Sequence, residues 1–450
     1  MNLVYKVNDR PKFGQLIVFA LQQLLAILAA TIAVPNIVGN GMSQSAALFG
    51  AGVGTIVYLL FTKFKSPVFL GSSFAFLGSM FAAFGGAAST AIGYAGLIIG
   101  AIFAGLVYVV IAIIVKFAGV KWISKLMPPV VIGPTVAIIG LSLAANAIGN
   151  SFGFSSPQSG YTMNSSLWAN LICAMVTLFT VIFFSVKGKK MLKLIPFILG
   201  IIAGYLVALA FTLIGNATNH ASLKILDFTA FSGMKVFEIP PFTFRQAFEG
   251  LKQIDAKYIA TIAVAYVPVA FVVFAEHIAD HKNLSTIISQ DLLEEPGLHR
   301  TLLGDGIGSM AGAFFGGCPN TTYGESIGCV AITGNASIVT ILTTAILAIA
   351  ASFFSPFVTF LSTIPTCVMG GVCVTLYGFI AVSGLKMLQP VDLNDNRNLF
   401  TASVILIAGI GGMTMTIGSV TLTEVACALI LGVIVNLLFN RPAKEEKEAQ

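Results

Sequence analysis

Long apolar runs separated by short polar stretches set the pattern of this chain. They recur near 14–38, 45–62, 92–116, 127–148, 166–186, 194–215, 258–281, 301–318, 337–361, 364–384, 398–414 and 420–439. About 20 apolar residues are what a helix needs to cross a bilayer. Two more segments, 67–82 and 319–335, are short and interrupted by small polar residues. The pattern predicts an all-α polytopic membrane protein with fourteen spanning segments. The apolar positions run continuously rather than alternating, which argues against a β-barrel. The first run is too long for the ~7–15-residue core of a cleaved signal peptide.

Composition agrees with that reading. Hydrophobic residues make up 57% of the 450 positions and charged residues only 9%, where soluble domains carry about 25% charged residues. A net charge of +6 spread over this length is too dilute for a nucleic-acid-binding face. The cysteines Cys173, Cys318, Cys329, Cys367, Cys373 and Cys427 include no C-x-x-C pair. They read as small buried hydrophobes rather than a disulfide framework or a metal site. No phosphate-binding loop, metal-ligand cluster or nucleophile–base pair stands out, so neither an enzyme nor an ATP-driven pump is expected. Gly304-Asp305-Gly306-Ile307-Gly308 superficially matches a dinucleotide loop. It opens an apolar run instead of linking a strand to a helix, and is set aside.

Charge orients the spans. Lys6, Arg10 and Lys12 precede the first run, and Arg441, Lys444 and Lys447 follow the last. Alternate loops hold Lys63 and Lys65, then Lys116, Lys121 and Lys125, then Lys187, Lys189, Lys190 and Lys193, whereas 83–91 and 149–165 hold no Lys or Arg. By the positive-inside rule both termini are cytoplasmic, in the cell membrane. The loop 216–257 falls outside despite several charges.

The two short segments match one another. Leu70-Gly71-Ser72-Ser73-Phe74 and Pro319-Asn320-Thr321-Thr322-Tyr323 both set small hydroxyl residues before an aromatic, with Phe74 and Tyr323 separated by 249 positions. Pro128–Gly133 echoes Pro365–Gly370 at a separation of 237. Two halves of seven spans, 14–215 and 258–439, then run with inverted topology. Inverted repeats with matched broken segments mark the binding site of secondary transporters. Unpaired backbone in hydrocarbon costs several kcal/mol per group, so it persists where it lines a cavity. Gly52, Gly54, Gly96 and Gly100 read more simply as close helix packing.

Most carboxylates fall in loops or in the tail; Glu276, Asp280 and Glu325 are read at membrane depth. Such residues are costly there and are usually functional. Glu276 and Asp280 are four residues apart and share a helix face. Asp280 and His281 also fit a helix end standing in water, so both readings stay open.

Phe274-Ala275-Glu276-His277-Ile278, Asp291, Pro296-Gly297-Leu298-His299-Arg300, Phe315-Gly316-Gly317 and Pro319 to Gly328, together with Leu70 to Phe76, carry a resemblance to the nucleobase–ascorbate transporter family over nearly the whole chain. The resemblance implies a core domain from spans 1–4 and 8–11 and a gate domain from spans 5–7 and 12–14. It also implies two short antiparallel strands in the broken spans 3 and 10, and a homodimer through the gate. Glu276 and Glu325 match its substrate-binding glutamates. Phe74 and Gly324 match positions whose backbone N–H groups meet the substrate, and Tyr323, Tyr377 and Ala30 match pocket-lining positions. The implied activity is proton-coupled import of a nucleobase, uracil foremost, with no cofactor beyond the proton. Xanthine, urate or guanine would be the substrate in a sister branch, and an anion exchanger or channel of related architecture is the alternative of a different class.

The chain departs from the family's uracil symporters in two places. They often carry a coupling histidine four residues after the glutamate, where Asp280 stands here and the histidine is His281. A glutamine–histidine pair in the first span is Gln22-Gln23 here. Asp280 shares the face of Glu276, which points to it as the titrating switch, assisted by His281.

Overall fold

A computed structural model describes residues 3–119, 122, 128–154, 158–189, 191–417 and 420–439. The cationic positions Lys121, Lys125, Lys190, Arg441, Lys444 and Lys447 lie outside the described residues. Among the described residues, eight helices are long and apolar enough to cross a membrane: Phe13–Val38, Gln44–Phe61, Thr90–Ala118, Pro129–Ser151, Ser165–Lys187, Pro196–Ala217, Ala256–Ile288 and Thr366–Met387. Phe74–Gly85, Ile338–Ser352, Asn396–Ile410 and Glu424–Phe439 are shorter apolar helices. Polar residues at the starts cap several of them. Ser43, Asn164 and Asp255 accept hydrogen bonds from the N–H groups of Ala46, Leu167 and Tyr258, donors that the helices leave unpaired.

The helices associate in two sets. Gln44–Phe61 packs on Leu298–Gly316 and Ile338–Ser352, Thr90–Ala118 packs on Ala256–Ile288 and Leu298–Gly316, and Phe13–Val38 packs on Ile338–Ser352. In the other set Thr366–Met387 packs on Pro129–Ser142, Ala144–Ser151 and Ser165–Lys187, and Asn396–Ile410 packs on Glu424–Phe439 and Pro129–Ser142. Gly54 and Gly308 show why small residues occupy the tightest crossing. A Cβ on Gly308 would stand 2.8 Å from the Gly54 carbonyl oxygen, so the two backbones touch directly. The large exposed side chains Ile102, Leu106, Trp168, Phe179 and Phe183 lie on the outer helix faces, where lipid replaces water as the solvent.

The two interrupted segments each form a short strand followed by a helix. Leu70–Ser72 (β1) pairs antiparallel with Asn320–Thr322 (β2) in the register Leu70↔Thr322, Gly71↔Thr321 and Ser72↔Asn320. Phe74–Phe76 and Leu77–Gly85 continue from β1, and Gly324–Thr333 continues from β2. The pairing satisfies backbone groups that hydrocarbon would leave unpaired.

Several boundaries differ from the hydrophobic pattern. The run at 337–361 is two helices, Ile338–Ser352 and Ser355–Ser362. The Glu238 N–H donates to Phe353 O at 3.0 Å and the Ser355 N–H donates to Val236 O at 3.0 Å, so the incoming loop takes over the freed backbone groups. Within 216–257 a helix at Thr243–Leu251 packs on Thr90–Ala118, and the Phe244 ring stacks on Phe314 at 4.9 Å. A hairpin of Met415–Ile417 and Val420–Leu422 precedes Glu424–Phe439. The helix expected at 258–281 continues to Ile288, with Leu284 and Ile288 buried. Asp280 and His281 therefore sit inside a helix, and the reading of a helix end in water is corrected.

Candidate substrate site

Geometry around the paired strands builds the site. Tyr323 follows β2, and its hydroxyl donates to Ser72 O across the strand pair at 2.8 Å. Its ring lies over Gly71, where a Cβ would overlap it. That contact requires glycine at position 71. Beyond the strands, the Ser73 N–H donates to Pro319 O at 2.9 Å, and the Tyr323 N–H donates to Phe69 O at 3.2 Å. The next residues, Phe74 and Gly324, open helices, and N–H groups in a first turn lack an intrahelical acceptor. Ser326 locks the second helix start in place. Its hydroxyl accepts from the Phe69 N–H at 2.9 Å and from the Gln23 side-chain amide, so Gln23 braces the residue next to Glu325.

A cavity of about 360 Å³ lies against these strand ends, lined by Ser73, Phe74, Tyr323, Gly324 and Glu325 on the strand side. Helix Ala256–Ile288 contributes Glu276, Ala279 and Asp280 to it, and Phe379, Ile380, Ser383 and Met387 from Thr366–Met387 close the opposite wall. The volume is at the small end of the ~300–1,000 Å³ range of ligand pockets. Glu276 and Glu325, 49 positions apart in sequence, thus face one space. Asp280 is held there by the Thr322 hydroxyl, which donates to its Oδ2 at 2.8 Å. Ser73 Oγ is buried without a hydrogen-bond partner among the described residues, leaving a hydroxyl at the cavity wall for a ligand.

Three expected site residues lie elsewhere. Ala30 is 2% exposed and does not line the cavity. Its helix packs on β1 and on Gly324–Thr333, so it supports the site from behind. Tyr377 meets Phe74 edge-on with ring centroids 6.1 Å apart and lines a separate cavity of about 150 Å³ with Gly140 and Ala144. It braces the Phe74 ring from outside the site. His281 points away from Asp280, because neighbouring helix positions are about 100° apart. It is buried, its Nδ1–H donates to His277 O at 2.8 Å, and its Nε2 lies 2.7 Å from Tyr58 Oη. It does not reach the cavity.

A fourth carboxylate is buried among the helices behind the site. Asp305 is fully buried and pairs with His277 Nδ1 through Oδ2 at 2.9 Å. His277 Nε2 lies 3.0 Å from Thr301 Oγ1, whose single proton is donated to Leu298 O at 3.1 Å. Nε2 must therefore be the donor to Thr301, since a carbonyl only accepts. One proton then remains between His277 Nδ1 and Asp305. The Thr321 hydroxyl also donates to Asp305 Oδ2, at 3.5 Å. This dyad is tied to β2 through Thr321, which also lines the cavity. Its sequence signal was a charge inside the apolar run 301–318, masked by flanking glycines. The cavity wall from Thr366–Met387 gave no signal, because Phe379 and Ile380 are ordinary residues of an apolar span.

A sequence model of the Permease family matches residues 14–418. This chain belongs to that permease family. It is 42% identical over 447 residues to the uracil permease of Bacillus caldolyticus, covering 98% of this chain and 96% of that one. It is 35% identical over 436 residues to the uracil permease of Escherichia coli strain K12, covering 96% and 93%. Its fold is similar to that of the transmembrane domain of the cyanobacterial bicarbonate transporter BicA, with a TM-score of 0.58, 17% identity and 95% and 98% of the chains covered. The murine Slc26a9 anion transporter in its inward-facing state gives a TM-score of 0.64 at 14% identity, covering 96% of this chain and 69% of that one. The permease is thus a multi-pass membrane protein and not an enzyme.

Proposed function

We propose that this permease imports uracil across the cell membrane in symport with protons. The observation that carries the reading is the single cavity shared by Glu276 and Glu325 beside the paired strand ends. Uracil is flat and neutral, with two ring N–H donors and two carbonyl acceptors. An ionised carboxylate only accepts, so each glutamate complements a ring donor. The helix-opening N–H groups at Phe74 and Gly324 complement the carbonyls. Charge-assisted bonds of this kind are roughly twice as strong as neutral ones. The uracil permeases among the relatives support the same substrate.

In this reading fourteen spans form a seven-plus-seven inverted repeat. The set of helices around β1 and β2 is the core, and the set around Thr366–Met387 is the gate. The exposed apolar helices of the gate are where a homodimer would form. Both termini are cytoplasmic. The cavity wall reaches Ser383 and Met387, beside Lys386, and Phe197, just after the lysines at 187, 189 and 193. The positive-inside rule places those ends in the cytoplasm, so the cavity faces inward in this conformation. Asp280, one turn from Glu276 and bonded to β2, is the proton-accepting switch. Neutralising it removes one of three carboxylates from the cavity and lowers the cost of moving the loaded core past the gate.

Radiolabelled uracil uptake into proteoliposomes under an imposed pH gradient, with unlabelled xanthine as competitor, tests this function. Accumulation that needs an acidic exterior and resists xanthine is expected. Uracil uptake abolished by an equal concentration of xanthine would overturn the substrate, and uptake indifferent to the gradient would overturn the coupling.

A further inference from the structure

Two thiols pair outside the substrate cavity. Cys173 lies on Ser165–Lys187, and Cys367 lies in the first turn of Thr366–Met387; both are buried. Their side chains face one another across these two packed helices. Helix packing explains the contact. Gly371, one turn beyond Cys367, admits the backbone of the other helix so closely that a Cβ there would strike the Ala174 carbonyl. Gly204 of the adjoining helix lies as near, and a Cβ on it would stand 3.2 Å from the Cys173 carbonyl oxygen. Small residues on all three helices thus bring positions 173 and 367 together.

The pair has a route to solvent. Cys367 lines a polar cavity of about 460 Å³ together with Ser166, Asn170, Lys224, Asp227 and Thr363. This cavity lies at the helix ends opposite the lysine-rich loops, which is the outer face in the proposed orientation, where oxidants meet protein thiols. Cys173 is not among its lining residues and sits behind Cys367.

We propose that Cys173 and Cys367 are a disulfide-forming site, oxidised by a small-molecule disulfide entering through this cavity. The Cys367 thiolate attacks one sulfur of the reagent, forming a mixed disulfide and expelling one thiolate. The Cys173 thiolate then attacks the Cys367 sulfur and expels the second. The protein loses two protons and two electrons, and the reagent is reduced to two thiols. The product ties Ser165–Lys187 to the start of Thr366–Met387.

Intact-mass spectrometry of the purified full-length protein after treatment with glutathione disulfide tests the assignment. The wild type should lose two hydrogens and carry no glutathione, and dithiothreitol should reverse the change. Cys173→Ser should stop at a single glutathione adduct on Cys367, because the resolving thiol is gone. Cys367→Ser should stay unmodified. The thermal midpoint of the wild type should rise on oxidation, and neither variant should show that rise. A wild type that stays unreacted, that keeps a glutathione adduct, or whose peptide map shows another cysteine pair linked would overturn the proposal.

Discussion

Replacing Glu276 by Gln tests the site most directly, because affinity and stability should move in opposite directions. The change preserves shape and removes the charge from a group that lines the cavity with Asp280 and Glu325. A hydrogen bond to a charged group contributes about 1.5–3 kcal/mol and a neutral one about 0.5–1.5. The variant should therefore lose about 1–2 kcal/mol of binding energy, a roughly 5–30-fold rise in Kd. At a uracil concentration of about 100 times the wild-type Kd, ligand stabilisation is about 2.7 kcal/mol, and for a 30-fold weaker variant it falls to about 0.9 kcal/mol. The unliganded variant should be as stable as the wild type or more so, since like charges one helical turn apart repel. Calorimetric titration with uracil and thermal unfolding with and without ligand measure both quantities. A misfolded variant would lose affinity and stability together. Unchanged affinity in a folded Glu276→Gln protein would show that no ionised carboxylate at 276 accepts a bond from the substrate, and the pairing of glutamates with ring donors would fail.

Glu325→Gln should weaken uracil by a similar factor in the same titration; an effect confined to Glu276 would place the substrate away from the strand ends. Asp280→Asn should retain uracil exchange across proteoliposomes but lose accumulation against a gradient, and persistent pH-driven accumulation would remove Asp280 from the coupling role. At the buried dyad, Asp305→Ala leaves a buried His277 nitrogen unpaired, at a cost of about 1–3 kcal/mol, whereas the Asp305→Asn amide can donate to Nδ1; thermal unfolding should rank Ala well below Asn, and equal midpoints would refute the proton inventory. Gly71→Ala forces a methyl against the Tyr323 ring and should cost about 1–3 kcal/mol as overpacking. Tyr323→Ala in the same chain should recover part of that loss in a double-mutant cycle, and strict additivity would mean the two residues do not touch.

Helix positions and the broken segments were legible because they rest on local signals. Twenty apolar residues without charge have few alternatives to a spanning helix, and the Gly71-Ser72-Ser73 and Asn320-Thr321-Thr322 stretches lack the continuous apolar character of one. Glu276 and Glu325 stood out because charge is rare at that depth. What escaped depends on tertiary contact. Asp305 carries the same cost as Glu276 in hydrocarbon, yet its glycine neighbours made it read as a rejected loop motif, and only the packing of Leu298–Gly316 on Ala256–Ile288 shows His277 as its partner. His281 and Asp280 are consecutive, so sequence could not tell which faces the cavity; helix rotation decides it. Ala30 and Tyr377 lie one layer behind the wall, a distance that a motif does not encode.

The helix starts of this fold bear on the proposed substrate. BicA and Slc26a9 share this architecture at 17% and 14% identity, so the scaffold persists while the side chains diverge. Paired strands that each lead into a helix aim two helix N-termini at one region. Such termini carry partial positive charge and favour an anion. In this permease Glu325 lies in the first turn of Gly324–Thr333, so a built-in carboxylate already occupies the position where the second helix would attract an anion from solution. Glu276 and Asp280 add two more carboxylates across the cavity. The Glu325 carboxylate presents acceptor oxygens to the cavity. In the proposed function a neutral ring with N–H donors fits that arrangement, while a free anion would meet three carboxyl groups and no cation among the described lining residues. On the proposed function, acidic residues at the helix start and on the facing helix thus suit this cavity to a neutral heterocycle with N–H donors rather than to a free anion.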